Sequence, residues 1–219
     1  MRIKVDYSLD LDVWNYLRSV YRFVWYKHGR NNLQEKLFLA LPDKFRESLK
    51  RVKSEREAKE VIERFLSQGL DSRKFKYAKI AQDLEENWVK DGPKVEKKLE
   101  KIYARKIPFK TLKIYLSSLP ICPYNFKKRW IMVFADTRVK RQIEILAHEL
   151  NHFMFYYYFG YLKKELGEEK FESLKEALTV FTNPEEKGCP NQERLRAWLS
   201  GQKKTIPEII ESGRWRQYI

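Results

Sequence analysis

The segment Arg141 to Tyr158, RQIEILAHELNHFMFYYY, constrains the fold more than any other part of this chain. Ile143, Leu146, Leu150, Phe153 and Phe155 spread around most of a helical circumference, which predicts a helix over Val139 to Phe159 buried on nearly every side. Into its middle the sequence sets His148, Glu149 and His152. Buried polar side chains need partners, so the surrounding fold must satisfy these three together.

Residues four apart on a helix differ by about 40° in direction and about 6 Å in height, so His148 and His152 can converge on one metal ion. Glu149 is turned by about 100° from His148 and can stand beside the ion, where a carboxylate takes a proton from an activated water. A catalytic zinc uses three protein ligands and keeps a fourth position open. No histidine follows His152, so the third ligand is a carboxylate or, as the weaker option, Cys189. The segment Glu168 to Thr182 predicts a further helix. Its core face is Phe171, Leu174, Ala177, Leu178 and Phe181, while Glu172 and Glu176, four apart, share another face. Spacing alone does not choose between the two glutamates.

The rest of the chain reads as α+β, predominantly helical. Helical periodicity runs from a cap at Asp10 or Asp12 to near Gly29, through Val13, Trp14, Leu17, Val20, Tyr21 and Val24. It recurs over Pro42 to Val52, Ser54 to Leu66 and Asp71 to Val89, the last closed by the breaker Asp91-Gly92-Pro93. After Ile107-Pro108 the character changes. Thr111 to Leu116 and Trp130 to Phe134 predict two strands framing a proline-punctuated loop, Leu119 to Asn125. A weaker helical pattern covers Asn191 to Leu199. The expected organisation is a helical N-terminal region, 1–107, and a second part, 108–219, in which a small sheet packs on the histidine-bearing helix.

The net charge is +15, and the excess lies mainly in the N-terminal half, where 27 basic residues face 17 acidic ones over 1–110. Such a surface attracts polyanions at long range and so is compatible with nucleic acid, although no motif indicates it. Trp14, Tyr16, Trp25 and Tyr26 lie in the same region, but aromatics at helical spacing are expected in a core rather than as stacking platforms. Cys122 and Cys189 are too few for a disulfide framework and too far apart for a zinc ribbon. The opening MRIKVDYSLDLD carries no leader-like apolar run, and no later stretch approaches the roughly 18 apolar residues of a membrane span. A cytoplasmic protein with no membrane partner is expected.

HELNH within an apolar helix, two strands before it, no third histidine and a glutamate-bearing helix after it together resemble the gluzincin metallopeptidases in their minimal form, over roughly Pro108 to Thr182. The metzincin pattern does not fit, because Met154-Phe155-Tyr156-Tyr157 stands where it requires its glycine and third histidine. The resemblance implies a zincin-like core and a Zn2+ ion held by His148, His152 and a glutamate at the position of Glu176, with Glu172 as second choice. It also implies Glu149 as general base and acid in peptide hydrolysis, and a peptide or protein substrate lying along a free edge of the strand Trp130 to Phe134. The alternative is a nucleic-acid-associated protein, or a regulatory one similar to repressor-cleaving metalloproteases, whose zinc site is structural, latent or narrowly specific.

Overall fold

The computed structural model describes residues 1–21, 31–185 and 192–219. Trp25, Tyr26, His28, Cys189 and the end of the first expected helix lie outside the described residues. In chain order the main elements are β1 (Arg2–Tyr7), α1 (Leu9–Tyr16) running into a π-helical turn Leu17–Tyr21, α2 (Asn31–Leu39), α3 (Asp43–Lys50), α4 (Glu55–Ser67) and α5 (Leu70–Tyr103). There follow β2 (Thr111–Ser117), β3 (Tyr124–Asn125), β4 (Trp130–Phe134), α6 (Val139–Phe159), α7 (Leu162–Leu166), α8 (Glu168–Ala177), a 3-10 turn Leu178–Phe181, α9 (Glu193–Ser200) and α10 (Ile206–Ser212). The chain is α+β and mostly helical, and among the described residues no helix is long and apolar enough to cross a membrane.

Four strands form one mixed sheet in the order β1-β2-β4-β3, with β1, β2 and β4 parallel and β3 antiparallel at the edge. The expectation of helices alone before residue 107 fails at β1. Arg2, Lys4 and Asp6 are exposed while Val5 between them is buried, the two-residue period of a half-buried strand. Its inward partners come from far along the chain: the Val5 N–H donates to Glu85 Oε1 at 2.7 Å, and the Tyr7 ring meets Tyr77 at 5.1 Å. Neither Asp10 nor Asp12 caps the next helix. Ser8 does, accepting from the Leu11 N–H at 3.3 Å, and Asp12 turns inward to Ser117 and Ser118 at the end of β2.

α5 also departs from expectation, running through Asp91-Gly92-Pro93 without a break. Pro93 removes one helical bond, to the carbonyl of Val89, whose side chain is 76% exposed, so water can take its place. Against that cost of about 3 kcal/mol, Tyr77, Leu84 and Trp88 before the proline and Leu99 and Tyr103 after it are buried, each contributing about 1.5–3 kcal/mol. Packing outweighs local propensity. Gly92 is required by the same packing, since a Cβ there would lie 2.6 Å from the Trp88 ring. Gly92→Ala, normally worth up to about 1 kcal/mol in favour of a helix, is therefore expected to destabilise the protein by about 1–3 kcal/mol through overpacking. Thermal unfolding checks this, and an unchanged or raised Tm would contradict it.

Among the described residues the buried apolar side chains gather in two clusters. The larger joins β1, β2, β4, α5 and α6 to the C-terminal helices, and the smaller lies among α1, α2, α3 and α4 with Leu119 and Ile121. Thus β1 and α5, from the first half of the chain, share a core with the HELNH helix.

Candidate metal centre

α6 spans Val139–Phe159 as its periodicity predicts. Its first turn is tied to the end of β4 by Gln142, whose Nε2 donates to the carbonyls of Phe134 and Ala135. Its middle is tied to α5 by the fully buried Tyr103 hydroxyl, which donates to Asn151 Oδ1 at 2.6 Å, inside the HELNH motif. Gly167 precedes α8, and its φ of +77° lets the chain turn sharply after α7. Phe171 then packs on Phe155 and Tyr156, at 5.1 and 5.2 Å between ring centroids. That contact lays α8 across α6 and delivers Glu176 to the histidines.

Glu176 Oε2 lies 3.5 Å from His152 Nε2 and 3.8 Å from His148 Nε2, and one ligand atom from each residue falls within 4.8 Å of the others. His148, His152 and Glu176 can hold a metal ion. Bonds of about 2.0–2.1 Å at tetrahedral angles put ligand atoms about 3.3 Å apart, close to the two separations between Glu176 and the histidines. Two nitrogens and one carboxylate oxygen are a donor set suited to zinc. Glu149, buried at 7% exposure, follows His148 directly.

Glu172, the other candidate ligand, is turned to a different task. Tyr156 donates its hydroxyl proton to Glu172 Oε1, and Lys175 Nζ reaches Glu172 Oε2 at 2.6 Å. Lys175 is 3% exposed, and its Nζ also lies 3.2 Å from Glu176 Oε1 and donates to the Tyr124 hydroxyl at 2.6 Å. The Tyr124 ring packs against His152 at 5.6 Å.

Burial lowers the His152 pKa to about 4, overcoming the upward pull of Glu176, so the imidazole is neutral at pH 7, the form that binds metals. Burial alone would raise Glu176, yet its neighbours hold it well below the ordinary carboxylate range. With His152 neutral, the standing charge that does so is the Lys175 ammonium, aided by the hydrogen bond from His152. Burial likewise pushes the Tyr124 hydroxyl up, and Glu149, Glu172 and Glu176 add to the shift. It is a neutral phenol in a ring of carboxylates.

A pH dependence follows for the metal-free protein. His152 titrates near 4 when folded and near 6.5 when exposed, so the unfolded chain binds more protons within that window. Stability is present above pH 6.5 and is lost on acidification towards pH 4. Melting curves of metal-free protein should fall across this range, less steeply in His152→Gln; a Tm unchanged from pH 7 to 4 would contradict it.

The edge expected at Trp130 to Phe134 is not free. β3 pairs Tyr124 with Ile131 and Asn125 with Trp130, the Met132 N–H donates to the Pro123 carbonyl at 2.7 Å, and the Phe134 N–H points to the Cys122 sulfur. The prolines of Leu119 to Asn125 break strand periodicity and make the segment read as loop, but Tyr124 and Asn125 follow the last proline and pair with β4. The open backbone edge on this side of the sheet therefore belongs to β3. Cys122 is a free cysteine whose thiol burial raises to about 12.

The chain matches no protein-family model, no curated protein and no solved structure. Sequence reasoning passed over Lys175 and Tyr124. Lys175 carried a signal, because it stands four residues after Phe171 and three before Leu178, on the apolar side of its helix. A lysine at a core position needs buried partners.

Proposed function

We propose that this protein is a zinc-dependent metallopeptidase with a gluzincin-like core, in which His148, His152 and Glu176 hold the ion and Glu149 is the general base. The supporting observation is the convergence of Glu176, from a separate helix, on the two histidines of HELNH.

A zinc ion held there would supply Lewis-acid polarisation of a carbonyl and a water of lowered pKa. Glu149 accepts the proton of that water and returns it to the departing amine nitrogen. Its low exposure favours both transfers by keeping bulk water from competing for the proton. β3 offers its outer backbone edge at Tyr124–Asn125, where an extended peptide can add as a further strand beside His152.

The test is incubation of zinc-loaded protein with a diverse peptide mixture, read by mass spectrometry. New termini that vanish with chelator and return with added zinc are expected. Loaded protein that leaves every peptide and denatured protein substrate intact would contradict the peptidase reading while leaving the metal site standing.

A further inference from the structure

Lys175 presents three donors and meets three acceptors: Glu172 Oε2 at 2.6 Å, the Tyr124 hydroxyl at 2.6 Å and Glu176 Oε1 at 3.2 Å. An ammonium has three N–H groups, so the set is complete, as burial to 3% exposure demands. Glu172 and Glu176 are four apart on α8, a spacing at which like charges repel. A cation between them makes it possible to hold both on the inward side of the helix.

The consequence for Glu176 is directional. Its Oε1 is engaged by Lys175, and its Oε2 is the oxygen that faces His148 and His152. Tyr124 and Tyr156 pack around the ammonium at 5.1 and 5.6 Å, and Tyr156 anchors Glu172 through its other oxygen. The chain of contacts runs Tyr156, Glu172, Lys175, Glu176 and then the imidazoles.

We propose that Lys175 is a positioning residue for the metal centre, which fixes Glu176 as a ligand through the single oxygen Oε2 and keeps the site ready for the ion. This rests on the reading of His148, His152 and Glu176 as the ligands. Groups that orient a ligand from behind typically contribute about 10- to 100-fold in metal affinity.

Removing Lys175 alone would also remove a positive charge that repels the ion, and the two effects would oppose each other. Lys175→Met/Glu172→Gln removes a net-neutral pair and isolates positioning from charge. Zinc affinity, measured by competition with a chromophoric chelator, is expected to fall about 10- to 100-fold in this double variant. The visible spectrum of the cobalt-substituted protein should change with it, as Glu176 becomes free to offer both oxygens. Lys175→Arg, which keeps donors and charge, is expected to recover much of the affinity. Should the first pair of substitutions prevent folding, Lys175→Gln/Glu172→Gln keeps polar groups at both places and carries the same expectation.

Wild-type affinity and an unchanged cobalt spectrum in a folded double variant would overturn the role of Lys175 and leave the ligand assignment intact. Failure of the wild-type protein itself to bind zinc or cobalt would overturn the ligand assignment and this role with it.

Discussion

Glu149→Gln is expected to retain the metal and lose peptide hydrolysis by about 10²- to 10⁴-fold, the range that a positioned general base contributes. The substitution is nearly isosteric, so packing at this 7% exposed position is preserved and only the capacity to accept a proton is removed. Glu149 adjoins His148 in the chain but is not one of the three residues whose ligand atoms cluster, so metal content should match wild type. Parallel metal analysis and single-substrate kinetics check both halves. Hydrolysis within about tenfold of wild type at full metal content would remove Glu149 from the mechanism.

The second large effect separates the glutamates of α8. Glu176→Gln removes one of three ligands and is expected to weaken zinc binding by more than about 100-fold, beyond the loss typical when only a supporting group is deleted. Glu172→Gln, which leaves the contact between Lys175 and Glu176, should cost less than about tenfold. The contrast is informative because the two side chains are chemically identical and four residues apart. A larger loss from Glu172→Gln would mean that the helix presents the other carboxylate to the ion.

The contrast also shows where sequence reasoning ends. The helix Val139–Phe159 and the inward setting of His148, Glu149 and His152 follow from periodicity, because an element apolar on most sides has one environment open to it. Glu172 and Glu176 were equivalent by spacing. Phe171 packing on Phe155 and edge-on to Tyr156 breaks that equivalence, and such a contact depends on how two helices cross.

Elements governed by distant partners were the least legible. β1 is six residues long with three charged side chains outward, and only its pairing with β2, more than a hundred residues away, makes it a strand. α5 crosses Gly92-Pro93 because Trp88 needs a neighbour without a side chain and the flanking residues are buried against the sheet. Lys175 is the reverse case. It was visible as a lysine on an apolar stripe, but its meaning needed Tyr124, which arrives from a strand of two residues behind a run of prolines.

The assignment of the metal centre is tested most directly by growing crystals of the protein with zinc and recording anomalous scattering at the zinc absorption edge. One peak is expected, about 2.0–2.2 Å from His148 Nε2, His152 Nε2 and Glu176 Oε2. No peak at this position in zinc-grown crystals, or a peak bound by Glu172 in place of Glu176, would contradict the account.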